Sequence, residues 1–241
     1  MASTSEVGHA KNVANLTALI HLLQEMGPMY NPANPQIQII NLIGLRDGLN
    51  NSLQNLNDKI APFKTAVVSR ETAFKELLTL STRVKNSFNA FGFPEHEKDN
   101  VLTIVKKIRG EKPVRTAVGL ENQETQTISN AQLSYTNKVN HLQVLISLLN
   151  NQPAYQPNES DLSINALNSF FSQLEALNND ASQKAYALVT ARKNRNDLLY
   201  NINDNLLSLI NPIKEYIKSV EGAHTYYKAA VRLKFSNNPN S

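Results

Sequence analysis

Apolar residues recur every three or four positions along most of the chain, and no stretch alternates apolar and polar residues in a sustained way. A spacing of three and four places apolar side chains on one face of a helix, whereas a half-buried strand requires a period of two. The pattern therefore predicts an all-α fold without a sheet. The predicted helices cover residues 9–26, 34–57, 59–91, 129–150, 159–178 and 181–221.

The second half of the chain repeats the apolar pattern of the first. The segment Val13–Leu23 pairs with Val139–Leu149, and six of the eleven paired positions are identical. A tyrosine between two prolines follows in each copy, Tyr30 in the first and Tyr155 in the second. We therefore predict a tandem duplication of a three-helix unit, with long antiparallel helices packed as bundles. The predicted domains are a first helical repeat (1–110), a linker (111–128) and a second helical repeat (129–241).

The boundary between the second and third predicted helices of a repeat depends on one proline. Apolar residues continue across it at a strict spacing of seven, interrupted by Arg70; they occupy positions 42, 49, 56, 63, 77, 84 and 91. This continuity would suit one uninterrupted helix. A proline inside a helix costs about 3 kcal/mol, however, whereas Pro62 in the first turn after a capping Asp58 loses no hydrogen bond. We predict a break there and a matching break at the Asn178–Asp180 turn, with the continuous helix as the alternative.

Composition narrows the functional classes. Of the 241 residues, 41% are hydrophobic and 18% are charged, which is enough apolar material for a folded core. There is no cysteine, so disulfides, thiolate metal sites and cysteine nucleophiles are excluded. The N-terminus lacks a basic region followed by an apolar run, and no apolar stretch approaches about 18 residues. We expect no secretory signal, no membrane span and a cytoplasmic location.

Candidate metal ligands are limited to two Glu-x-x-His spacings. Helical di-metal bundles use two such pairs together with two further glutamates. Glu6 and His9 lie near the chain terminus, and Glu221 and His224 lie on either side of Gly222, so we do not expect either pair to share one helical face. The chain also lacks a glycine-rich phosphate loop, a nucleophile elbow and a paired-carboxylate pattern. We therefore predict no enzyme activity, no catalytic or metal-binding residues and no cofactor.

Basic residues cluster in a short tail after the last predicted helix of each repeat. The net charge of +4 is smaller than dedicated nucleic-acid binders usually carry. The tails nevertheless suit contacts to phosphate groups, with Tyr226 and Tyr227 as stacking partners. Alternatively, their side chains complement a helix dipole and stay solvated. The candidate anion-binding residues are Lys106, Lys107, Arg109, Lys228, Arg232 and Lys234, and a separate basic cluster contains Arg192, Lys193 and Arg195.

Several segments are similar to those of one bacterial family. They are Lys11–Asn15 before a leucine-rich helix, Tyr30–Pro32, Ser69–Phe74 and Val220–Lys228 near the end of the chain. Over nearly its whole length the chain resembles a family of duplicated, all-helical hypothetical proteins common in Bacteroidetes. The resemblance implies a bacterial helical protein and assigns no functional residue.

These observations favour a non-enzymatic function. Tandem copies give one chain two similar faces, which suits assembly into a homo-oligomer or binding to a protein partner. We therefore predict a structural or protein-interaction protein that self-assembles. The alternative is a nucleic-acid or anionic-surface binder that uses the basic tails, and a third hypothesis is a membrane-active helical component.

Overall fold

The computed structural model describes residues 4–111, 134–201, 203 and 205–237. For residues 4–7 it describes the backbone alone. Every regular element in this part of the chain is helical, which confirms the all-α prediction. The α-helices are α1 (Thr4–Glu25), α2 (Ile39–Ala90), α3 (Glu95–Arg109), α4 (Tyr135–Asn150), α5 (Ile164–Asn196), α6 (Leu206–Ser219) and α7 (His224–Arg232). Short 3-10 helices lie at Gly27–Met29, Pro35–Ile37 and Ser160–Leu162, and a π-helical turn lies at Asp197–Asn201. None of the described helices has the length and apolar content needed to cross a membrane.

The helix α2 runs without interruption through Pro62, so the predicted break is wrong and the continuous helix is correct. A proline at this position removes the hydrogen bond to the Asp58 carbonyl and crowds that carbonyl. Both residues are exposed, so this cost falls on the solvent-facing side of the helix. On the buried face the apolar stripe continues through Leu49, Leu56 and Leu77, which are almost completely buried. Burial of this stripe outweighs the cost of the proline.

The helix α5 likewise continues through Asn178–Asp180, so the predicted turn there is also wrong. The side chain of Asn178 does not cap a helix, because it binds neighbouring helices. Its Nδ2 donates to Thr136 Oγ1 at 3.3 Å, and its Oδ1 accepts from Arg70 Nη1 at 3.4 Å. The interruption comes after α5 instead, where the side-chain oxygen of Asn205 caps the start of α6.

The predicted helices omitted two further helices that carry basic residues of the tails: α3 contains Lys106, Lys107 and Arg109, and α7 contains Lys228 and Arg232, whereas Lys234 follows α7. The preceding helices, α2 and α6, end shortly before a glycine in the left-handed region, Gly92 (φ 75°) and Gly222 (φ 77°). Such a glycine ends a helix and redirects the chain. Glu95 and Glu97 in the first turn of α3 then favour a new helix, since carboxylates complement the positive end of the dipole.

The chain divides into two compact units. The first unit consists of Met1–Pro62 and Ala185–Ser241, and the second of Phe63–Lys184. The predicted repeats, 1–110 and 129–241, divide the chain differently, because each unit takes residues from both. The predicted linker, 111–128, lies outside the described residues except for Glu111.

Each unit has its own hydrophobic core, and each core combines residues from both halves of the sequence. The first core joins α1 and the start of α2 to α6 and α7; its buried residues include Leu16, Leu19, Leu42, Leu209, Ile213 and Ala230. The second core joins the end of α2 and α3 to α4 and the start of α5; its buried residues include Phe74, Leu77, Val105, Leu142 and Leu167.

Candidate anion-binding cleft

The helix α3 carries the first set of candidate anion-binding residues. Lys106, Lys107 and Arg109 are exposed, since they lie off the apolar face that α3 buries. The helix ends in a Schellman motif, in which Glu111 N donates to Lys106 O at 2.9 Å and Gly110 N donates to Lys107 O at 3.1 Å. Gly110 adopts the left-handed conformation that this motif requires, with φ 73°. The motif fixes the direction in which Glu111 leaves the helix.

A cleft of about 230 Å³ lies between the end of α2 and α3, within the second unit. Two of the predicted residues, Lys106 and Arg109, line it together with Lys85 from α2. The other lining residues are Thr82, Leu102, Val105 and Glu111. This α2–α3 cleft therefore gathers three cations, one carboxylate, one hydroxyl and two apolar side chains.

Arg109 connects the two helices that form the α2–α3 cleft. Its Nε donates to Glu111 Oε1 at 2.6 Å, and its Nη1 donates to Thr82 Oγ1 at 2.8 Å. The Thr82 hydroxyl in turn donates to a carbonyl of the preceding turn at 3.0 Å, which fixes the position of its oxygen. Glu111 thus neutralises the guanidinium, whereas Lys85 and Lys106 form no ion pair with any described residue.

Lys107 does not line the cleft and lies instead near His141 of α4. Burial lowers the pKa of His141 below its ordinary value of 6.5, and the positive charge of Lys107 lowers it further. The Nε2 atom of His141 is buried and has no hydrogen-bond partner in the described part of the chain. Both effects favour the neutral imidazole, so His141 adds no positive charge beside Lys107.

The second set of candidate residues, Lys228, Arg232 and Lys234, lies exposed in the first unit. Lys234 lies near Lys214 of α6, and the pKa of Lys214 is lowered, mainly by burial and also by the charge of Lys234. Asn15 Nδ2 donates to the Lys234 carbonyl at 2.6 Å, which holds this segment against α1. The α2–α3 cleft contains no member of the second set.

Other residues that the sequence suggested as anion contacts are engaged within the protein. Tyr226 and Tyr227 are half-buried against the core of the first unit, and the Tyr226 hydroxyl donates to a backbone carbonyl of α1 at 3.3 Å. In the separate basic cluster, Arg195 is fully buried and Lys193 pairs with the Asp197 carboxylate at 2.7 Å. Of this cluster, Arg192 and Lys193 are exposed, whereas Arg195 is not available to a ligand.

The Glu-x-x-His residues do not converge on a metal centre among the described residues, where no three ligand side chains are grouped closely enough to hold a metal ion. His9 is buried beside Tyr200, with ring centroids 5.7 Å apart. Glu221 and His224 are exposed on either side of the turn that follows α6. The side chain of Glu6 lies outside the described residues.

A larger cleft, of about 490 Å³, lies in the second unit between α2 and the loop after α4. Its lining includes Arg83, Asn86, Phe91 and Asn158. Arg83 forms a bidentate ion pair with Asp161, and this contact lowers the pKa of the Asp161 carboxyl. The cation of the larger cleft is therefore neutralised, unlike the two lysines of the α2–α3 cleft.

The sequence pattern did not indicate Lys85 or Thr82 as site residues. The signal that could have found them is the turn at Gly92 and Pro94, since a helix that starts directly after it must turn back along α2. Residues at equal distances from such a turn lie side by side, which brings Lys85 level with Leu102. The basic residues one turn further along α3 then fall into the same cleft as Lys85.

Comparison with known proteins finds no matching protein family, no matching characterised protein and no matching solved structure.

Proposed function

We propose that this chain is a non-enzymatic structural or protein-interaction protein that assembles with copies of itself. The proposal includes a tandem duplication of one helical unit. It also includes a bacterial, cytoplasmic setting, which rests on the resemblance to the Bacteroidetes family and on the cysteine-free composition.

A matching hydrogen bond in the two units supports the duplication. Tyr30 Oη donates to the Ile37 carbonyl at 2.7 Å, and Tyr155 Oη donates to the Leu162 carbonyl at 3.2 Å. Each tyrosine follows the first helix of a predicted repeat, and each acceptor is the last residue of a 3-10 helix. A common origin accounts for the same bond at the same register of both copies.

The buried stripes of the two long helices, α2 and α5, also support the duplication. Each helix has two completely buried leucines seven residues apart near its start; they are Leu42 and Leu49 in α2, and Leu167 and Leu174 in α5. Three heptads after the second leucine, an arginine interrupts the stripe in each helix, Arg70 in α2 and Arg195 in α5. A charged residue is rare at such a position, so its occurrence at one register in both helices favours duplication over coincidence.

The proposal of self-assembly rests on one observation, which is an exposed apolar pair of residues on α5. Tyr186 and Val189 lie one turn apart, with 74% and 60% of their surface exposed. Ala187 and Thr190 beside them are also exposed and uncharged. A face of this kind meets no charge repulsion when it packs against an identical face, as a two-fold dimer requires. We therefore assign these four residues, the α5 face, to contact with a second copy of the chain.

Light scattering across a concentration series tests this assignment. We expect the mass of the wild-type chain to rise to that of a defined oligomer. The double substitution Tyr186→Lys and Val189→Lys should raise the dissociation constant about tenfold or more, since it places charge where apolar surface is buried. The matched control is Val144→Lys on α4, a residue that is 45% exposed, which should assemble normally. A wild-type chain that stays monomeric throughout would contradict the proposal.

A second candidate function is binding of a nucleic acid or another anionic surface, and the α2–α3 cleft is the observation that favours it. Two of the predicted residues, Lys106 and Arg109, lie there beside a third cation, Lys85. An anionic polymer that neutralised these cations would release counterions and bind less tightly as salt increases.

A further inference from the structure

We infer that the α2–α3 cleft binds a single phosphate group of a small molecule, as inorganic phosphate or as a phosphate monoester, through Lys85 and Lys106. The inference rests on the second candidate function, since it uses the same cleft, but it replaces a polymer with a small ligand. The ligand would touch residues of the second unit alone.

The helix dipole does not account for the cluster of cations. Lys106 and Arg109 lie in the last turn of α3, where basic residues complement the negative end of the dipole. Lys85 belongs to α2, whose last turn contains no basic residue, and it is half-buried in the wall of the same cleft. Glu111 neutralises Arg109, and the two remaining cations, Lys85 and Lys106, repel each other unless a further anion lies between the helices.

The end of a helix normally repels an anion, but this end is largely neutralised. The Schellman bonds from Glu111 N and Gly110 N satisfy the carbonyls of Lys106 and Lys107. Lys107, in the same last turn but outside the cleft, offsets part of the remaining partial charge of the helix end. An anion in the α2–α3 cleft therefore meets ammonium groups and few free carbonyl oxygens.

Charge and hydrogen-bonding capacity indicate a phosphate monoester or free phosphate. Because Arg109 and Glu111 neutralise each other, Lys85 and Lys106 leave two positive charges in the cleft. A phosphate monoester carries a charge of about −1.5 to −2 at pH 7 and has three strong acceptor oxygens. A carboxylate has one charge and two oxygens, and a nucleic-acid phosphodiester has one charge. The monoester matches the two lysines best.

Donors for more than two oxygens are available in the cleft. The Arg109 guanidinium uses Nε for Glu111 and Nη1 for Thr82, which leaves Nη2 to donate to a ligand. Arginine and lysine together can surround a tetrahedral group, since the guanidinium is planar and fixed while the ammonium groups rotate.

The size of the cleft limits what the phosphate can be attached to. Its volume of about 230 Å³ lies below the range of about 300–1,000 Å³ that is usual for pockets of drug-sized ligands. The cleft has room for a phosphate group and for little of the molecule that carries it, so the remainder of a monoester would extend into solvent. Leu102 and Val105 form an apolar part of the wall, and a less polar surrounding strengthens the attraction between lysine and phosphate.

Isothermal titration calorimetry of the full chain at low ionic strength tests the inference, with orthophosphate, methyl phosphate and dimethyl phosphate as probes. We expect one orthophosphate per chain and about tenfold weaker binding of the diester, as for the loss of one charge-assisted contact. Binding of methyl phosphate would indicate a phosphate carried on a small molecule, and its absence would indicate free phosphate. Lys85→Gln and Lys106→Gln should each weaken orthophosphate binding about tenfold.

Lys107→Gln is the matched control, because it removes the same charge from the neighbouring position of α3 but outside the cleft. Its affinity for orthophosphate should equal that of the wild type. Lys85→Arg keeps the charge and should retain most of the binding, and a melting curve for each variant confirms that the fold is intact. Absence of orthophosphate binding to the wild type, or an equal loss in the Lys107 variant, would overturn the inference.

A salt series with single-stranded RNA separates the inference from the polymer-binding function. Phosphate binding that depends on Lys85 and Lys106, in a chain that does not bind RNA, would support the inference and eliminate the polymer function. RNA binding by a chain that does not bind orthophosphate would support the polymer function and overturn the inference.

Discussion

Tyr30 and Tyr155 each hold the loop that follows the first helix of a predicted repeat. Both side chains are buried, with 6% and 2% of their surface exposed. Burial raises the pKa of both hydroxyl groups, so each remains protonated and donates its hydrogen bond. At the scale of single residues, these loops therefore depend on one buried donor each.

Replacing either tyrosine with phenylalanine should lower the free energy of unfolding by about 1–3 kcal/mol, because a buried carbonyl oxygen loses its partner. Chemical denaturation of Tyr30→Phe and Tyr155→Phe measures this change. Tyr227→Phe provides the control, since that ring packs against the first core while its hydroxyl forms no hydrogen bond with the described residues, so this variant should unfold like the wild type. Unchanged stability in both buried variants would show that water replaces the tyrosine hydroxyl.

At the scale of single residues, the sequence predicts only part of the α2–α3 cleft. Lys106 and Arg109 were recognised because they are neighbours in the sequence. Lys85 was missed because the turn at Gly92 brings it to them from far earlier in the chain. Arg195 has basic neighbours in the sequence, yet it is buried, because it falls at a heptad position of the buried stripe of α5. Local clustering thus identifies charged residues but not the direction in which they face.

The heptad pattern predicted the buried face of α2 better than it predicted where the helix ends. Leu42, Leu49, Leu56, Leu77 and Val84 all belong to the predicted stripe, and all are buried. The continuity of the helix was mispredicted because a local preference, the cost of a proline, was given more weight than packing spread over many turns. A sequence shows the preference directly, whereas the packing depends on partners that the fold supplies.

Substitution of Pro62 tests this balance at the scale of the element. Pro62→Ala restores the hydrogen bond to the Asp58 carbonyl, so it should raise the free energy of unfolding by about 2 kcal/mol. An internal proline costs about 3 kcal/mol, but it also restricts the unfolded chain, and the loss of that restriction in the alanine variant offsets about 1 kcal/mol of the gain. Thermal or chemical denaturation measures the change. Pro94→Ala is the control, because Pro94 precedes α3 at the N-cap and no helical hydrogen bond is regained there. A Pro62→Ala chain no more stable than the wild type would mean that α2 already accommodates the proline without loss.

At the scale of the whole molecule, the two halves of the sequence depend on each other for their cores. The first core contains Leu16 from one half and Ile213 from the other, and the second contains Phe74 and Leu142 in the same way. Sequence comparison within the chain detects which segments are alike. It does not detect which segments pack together, because similar segments offer similar apolar faces to any partner of the right shape.

Cutting the chain within the predicted linker, 111–128, tests whether each repeat folds by itself or whether the two halves form shared cores. If each repeat folded by itself, the fragments would separate after cleavage at an inserted protease site. Because each core requires helices from both fragments, we expect them to remain associated and to elute from gel filtration at the mass of the uncut chain. They should part under the denaturant conditions that expose both cores, with the uncleaved insertion variant as the control. Separation in native buffer would contradict this expectation, since it would require each half to bury its apolar stripes without the other.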